Sequence, residues 1–153
     1  MFALMHSTRL ESLHLSVDPV TGLKAIIAIH NSRLGPALGG CRYLAYPNDE
    51  TAVADAARLA QGMSYKAALA GLSVGGGTAV IIRPVHVESR AALFEAFGRC
   101  VEKLDGRFIT SVDSGTSVAD MDCIAQNTRV VTSTTAAGNP APHAAMGVFA
   151  GIR

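Results

Sequence analysis

Between Glu11 and Val17 polar and apolar residues alternate: Leu13, Leu15 and Val17 fall on one face, Ser12, His14 and Ser16 on the other. A period of two is that of a half-buried strand. Asp18-Pro19-Val20-Thr21-Gly22 reads as a turn, with proline presetting one φ and glycine free to take a positive one. Leu23–His30 follows as an isoleucine-rich strand, so the two runs form a hairpin. His14 and His30 sit inside these strand patterns and read as structural rather than ligating positions. From Asn48 the period changes. Val53, Ala56, Ala57, Ala60 and Met63 recur at helical spacing to about Leu72, with a break expected near Gly62–Ser64. Asn48 is the expected N-cap, and Asp49 and Glu50 suit the positive end of a helix dipole.

Thr78–Ile82 is short and apolar throughout, the signature of a strand covered on both faces, and Pro84 ends it. Ser89–Leu104 is the next helix, with Ala92, Leu93, Ala96, Phe97 and Cys100 inward and Gly106 closing it. Arg107–Val112 is a strand. Ser117 caps a helix to about Gln126, with Asp120 placed as in a capping box. Arg129–Ser133 is read as a last strand, and a further helix begins near His143. Asn31–Pro47 is expected to be a long loop carrying Gly39-Gly40, and Gly75–Gly77 a second, glycine-only loop. A hairpin followed by alternating strands and helices predicts an α/β fold, a three-layer sandwich with a mostly parallel sheet. In such sheets ligands bind beyond the carboxyl ends of strands. Gly39-Gly40, Gly75–Gly77 and Asp113 are therefore expected to converge on one cleft.

At 153 residues the chain is long enough for one domain, residues 1–153, with a real core. Charged residues are only 16%, so some surface is expected to be covered by a partner. A net charge of +1 gives no basic footprint for nucleic acid. Cys41, Cys100 and Cys123 are odd in number and far apart, with no CxxC and no zinc spacing, which fits reduced thiols in a cytoplasmic protein. The N-terminus lacks the charge and apolar run of a signal peptide, and no stretch reaches the roughly 18 apolar residues of a membrane helix. No GxGxxG joins a strand to a helix, and the triple glycine precedes a strand rather than following one.

Lys66 is the one charge between Arg58 and Arg83. Two roles fit it. It can hold an anion over side-chain-free backbone, or it can snorkel to solvent from a packed helix while the glycines merely turn the chain.

Three motifs in order, Gly35-Pro36-Ala37-Leu38-Gly39-Gly40-Cys41-Arg42, Met63-Ser64-Tyr65-Lys66 through Leu72 with Gly75–Gly77, and Ser111-Val112-Asp113-Ser114-Gly115-Thr116, carry a resemblance. The chain resembles the N-terminal domain of the glutamate/leucine/phenylalanine/valine dehydrogenases over nearly its whole length, with the leucine enzymes the nearest in pattern. The resemblance implies NAD-dependent oxidative deamination of a branched-chain L-amino acid. It also implies a homo-dimer or larger assembly built by this domain. Lys66 matches the lysine that binds the substrate α-carboxylate. Gly75 and Gly76 match backbone along the substrate, and Leu38 and Ser111 match the side-chain pocket. Gly39, Gly40 and Met63 belong to the same wall, and Asp113 matches the carboxylate that handles protons at the amino group. Two departures stand against activity of the chain alone. Thr78 replaces the family's catalytic lysine, and threonine has no pKa near neutrality, a loss of at least about 10²–10⁴-fold in rate. The expected Rossmann domain, and with it NAD binding, is absent from this chain. A stand-alone, non-catalytic module that binds an amino acid or a dehydrogenase partner is the alternative.

Overall fold

The structure is a computed structural model and describes residues 1–152. Its elements in order are α1 (Phe2–Thr8), β1 (Ser12–Asp18), β2 (Leu23–Asn31), β3 (Ala37–Leu44), α2 (Asp49–Leu69), β4 (Gly75–Ile82), α3 (Arg90–Glu102), β5 (Phe108–Val112), α4 (Val118–Ala125) and α5 (Ala141–Ile152). The sheet order is β1-β2-β4-β3-β5. β2 pairs antiparallel with both β1 and β4, while β3 pairs parallel with β4 and β5. Four of the five strands thus share one direction and only β2 is reversed, the α/β sandwich with an N-terminal hairpin that the patterning predicts.

The two faces of the sheet are packed differently. On one, α3 and α4 bring Leu93, Phe94, Phe97, Val101, Met121 and Ile124 against Ile27, Ile29, Ile81 and Phe108. On the other, α2 lays Ala52, Val53, Ala56, Ala57 and Ala60 on Ile26, Ala28 and Val80. An alanine face lets the helix approach the sheet closely, and the strand beneath is adapted to it. A side chain at Gly76 would meet the backbone nitrogen of Ser64 at 2.1 Å. The caps follow sequence chemistry: Asn48 accepts from the Thr51 amide, Ser89 from that of Ala92, and Ser117 and Asp120 form a reciprocal capping box.

Four expectations need correction. Asn31–Pro47 is not one loop, because Ala37–Leu44 is a central strand paired on both sides. Gly75–Gly77 is not a loop either but the start of β4, buried and bonded to β2 and β3. In both places the glycines are where neighbouring backbone is too close for a Cβ. One on Gly39 would lie 1.8 Å from the Gly77 carbonyl oxygen, and one on Gly75 2.0 Å from that of Asn31. The helix does not break at Gly62–Ser64 and α2 runs through to Leu69, its hydrogen-bond ladder outweighing one glycine. Arg129–Ser133 is reduced to one bridge, Val131 beside Thr110. The short helix α1 carries no periodic signal long enough to be read from sequence.

Candidate functional site

The cleft arises from an unequal cover. α2 packs chiefly on β4 and β2 and barely reaches β3. Gly40, half-buried on β3, grows no side chain to fill the floor beside α2. What remains is a cleft of about 520 Å³ between the flank of α2 and the ends of β3 and β5. Leu38, Gly39, Gly40, Met63, Lys66, Thr78, Ser111 and Asp113 all line it. Eight expected site residues, taken from four separate elements and the loop after β5, therefore meet in one place. Gly75 and Gly76 do not line it. They are buried under Ser64 and against Asn31, which makes them packing positions in this structure.

Each charged group is held differently. Lys66 stands in the last turn of α2, exposed, and among the described residues its ammonium has no ion-pair or hydrogen-bond partner. Asp113 sits just past β5. Its Oδ2 accepts from Arg42 Nε at 3.2 Å and its Oδ1 from the Ser114 amide at 2.7 Å. The loop that carries it is tied to β3: the Thr116 hydroxyl donates to the Cys41 carbonyl at 2.9 Å, and the Tyr43 amide donates to that of Ser114 at 2.9 Å. Behind it, Arg90 binds both oxygens of Asp120 and the Gly115 carbonyl, with its guanidinium 4.6 Å from the Tyr43 ring centre. Thr78 is 1% exposed, and its hydroxyl donates to the Gly40 carbonyl at 3.2 Å across the β4–β3 pair.

Sequence reasoning missed the network around Arg42. Its Nη1 donates to Asp55 Oδ2 at 3.0 Å, and the same carboxylate accepts from the Tyr46 hydroxyl at 2.8 Å and from Arg58 Nη2 at 2.7 Å. Burial alone would raise the Asp55 carboxyl, but the Tyr46 and Arg58 hydrogen bonds and the Arg42 charge hold it below its ordinary range. Burial and the Asp55 carboxylate push the Tyr46 phenol up to about 12. Burial works against the Arg42 charge, and Asp113 and Asp55 outweigh it, so the guanidinium stays firmly protonated. Arg42 and Arg58 both line the cleft. The available signal was Arg42 two residues after the glycine pair, and Asp55 and Arg58 one helical turn apart.

Each of the two strand histidines has a serine partner, while His30 Nε2 is buried with no hydrogen-bond partner among the described residues. His14 Nε2 lies 3.0 Å from the Ser12 hydroxyl and His30 Nδ1 lies 2.8 Å from that of Ser64. Among the described residues no group of His, Cys, Asp and Glu side chains is placed to hold a metal ion.

The family model described as the Glu/Leu/Phe/Val dehydrogenase dimerisation domain matches residues 9–130. The chain belongs to this family. It is 48% identical over 157 aligned residues to the leucine dehydrogenase of Geobacillus stearothermophilus, covering 100% of this chain and 43% of that protein. It is 49% identical over 148 residues to the valine dehydrogenase of Streptomyces virginiae, covering 94% and 41%. Among solved structures, the L-tryptophan dehydrogenase of Nostoc punctiforme superposes with a TM-score of 0.84 at 42% identity, covering 99% of this chain and 43% of that one. The chain thus spans less than half the length of each of these three dehydrogenases.

Proposed function

We propose that this chain is the substrate-binding and oligomerisation part of a leucine-dehydrogenase-like oxidoreductase acting on a branched-chain L-amino acid. The observation that carries the reading is the pairing of opposite charges across one cleft: an ammonium at Lys66 with no partner among the described residues, and a carboxylate at Asp113 over a glycine floor. A zwitterion matches that pattern. Its α-carboxylate meets Lys66, a compact cation on a flexible stem. Its ammonium meets Asp113, which the Arg42 and Ser114 hydrogen bonds hold in one orientation. Leu38 and Met63 supply apolar wall for the side chain.

This chain alone is not expected to turn the substrate over. The position of a lysine base is taken by the buried Thr78 hydroxyl, already committed to Gly40. The triple glycine lies within β4 instead of in a turn from a strand to a helix N-terminus, so it is not itself a dinucleotide cradle. The NAD that the family chemistry requires would be held by groups outside these residues. Thr78 also favours the second reading, a non-catalytic amino-acid-binding module.

Leucine should raise the melting temperature of this protein, and Lys66→Ala should remove that rise while leaving the unliganded melting temperature close to the parent's. Equal rises in both proteins would exclude Lys66 as the carboxylate group. Assembly as a homo-dimer is supported by the family model's description and by the bare apolar side chains of Leu15 and Val17 on the edge strand β1. Light scattering should give a mass near twice 15.9 kDa. A monomer at micromolar concentration would count against it. No helix among the described residues is long and apolar enough to cross a membrane. With three free thiols, a cytoplasmic location is proposed.

A further inference from the structure

One wall of the cleft is polar where a leucine side chain would want hydrocarbon. Ser111 Oγ lies 2.7 Å from Ser133 Oγ, and Thr132 stands beside them in the lining. Ser133 is 4% exposed and holds a φ of 60°, a left-handed conformation that a non-glycine residue adopts only when its surroundings impose it. Two hydroxyls bonded to each other use one proton and one lone pair. The pair keeps one proton and three lone pairs, and Thr132 keeps its own hydroxyl, none of them satisfied by another described residue.

The sheet sets the distances. Gly40 is in register with Ser111, and Leu38 is in register with Gly76 of β4. From β4 across β3 to β5 is two strand spacings, roughly 10 Å, and Ser111 precedes Asp113 on the same face by roughly 7 Å. A small amino acid with its ammonium at Asp113 and its carboxylate toward α2 can run its side chain past Leu38 to the hydroxyl pair. Such a side chain would have an apolar stem and a polar tip. Resting on the amino-acid reading above but departing from its branched-chain side chain, we infer that Ser111 and Ser133 are specificity-determining residues that select a short side chain carrying a hydroxyl or carboxamide group over its hydrocarbon isostere. An isostere with a methyl in that place would leave the remaining proton and lone pairs of the Ser111–Ser133 pair without a partner on that side, which is the more discriminating direction of selection.

Two isosteric pairs test this by titration calorimetry on the chain as it stands: threonine against valine, and asparagine against leucine. The polar member of at least one pair should bind about tenfold tighter, the ratio of one hydrogen bond of ordinary strength. Ser111→Ala should bring that ratio to near one. Ser133→Gly should do the same while relieving the left-handed backbone, so a folding defect in the first variant leaves the second to decide. Tighter binding of valine and leucine than of their polar isosteres, or a ratio unchanged in both variants, would overturn the assignment but keep the amino-acid cleft. No binding by any of the four would overturn the cleft reading and this inference together.

Discussion

Thr78 is tied into the sheet on both sides. It is in register with Ala28 on one side, and its hydroxyl bonds the Gly40 carbonyl on the other. Thr78→Val keeps the shape and removes the bond, leaving the Gly40 carbonyl short of a donor. It should lower the unfolding free energy by about 1 kcal/mol in urea titrations and leave leucine binding unchanged. A loss of binding instead would make the hydroxyl a ligand group. Lys66 and Asp113 were legible as cleft residues, Lys66 as an isolated charge near glycines and Asp113 as a carboxylate just past a strand. Arg42, Asp55 and Ser133 were not, because each acquires its role from a partner on another element.

At the scale of elements, the glycines divide into those that permit contact and those that do not. Gly76 lies under α2 with Ser64 N 2.1 Å from where a Cβ would stand, whereas Gly62, inside α2, has nothing within 4 Å. Gly76→Ala should force α2 off β4 and cost several kcal/mol, about 3 or more by analogy with severe overpacking. Gly62→Ala should stabilise by up to about 1 kcal/mol through helix propensity. Chemical denaturation of the two variants checks both signs, and destabilisation by both would mean that Gly62 has a contact not yet identified. The same property explains what was misread. Period-two and period-3.6 patterns revealed the positions of β1, β2, α2 and α3, but not that α2 is unbroken or that Leu15 and Val17 of β1 stand exposed. Ala37–Leu44 and Gly75–Gly77 looked like loops because glycine lowers strand propensity, yet two neighbouring strands on each hold them in the sheet. Val131 shows the converse, with an apolar run that reads as a strand but makes only one bridge.

For the whole molecule, pH dependence follows from groups whose folded state disfavours the proton. Burial, and then Arg9, lowers the pKa of His30. Arg90 and Ser117 overcome burial to hold Asp120 below its usual range, as Tyr46, Arg58 and Arg42 do for Asp55. In each case the unfolded chain takes up the proton first, so stability is complete above the unfolded pKa and is lost as pH falls toward the folded one. The urea midpoint should be level near pH 7, begin to fall below about 6.5 through His30, and fall steeply below about 4 through the aspartates. Asp120→Asn should flatten the steep limb. A midpoint that rises toward acid would refute this assignment of groups.

The helix that covers only half of its face of the sheet has an energetic consequence. Lys66 is exposed, so water reaches the place where it would meet an anion. A unit charge pair at 4 Å is worth about 1 kcal/mol in bulk water and about 4 kcal/mol in the less polarisable surroundings near a protein surface. Any body that roofs the bare half over β3 and β5 expels that water and strengthens the same contact without touching it. Linkage then runs both ways: by whatever factor the roof tightens the ligand, the ligand tightens the roof. An uncovered half-sheet makes occupancy of the cleft and closure over it a single coupled equilibrium.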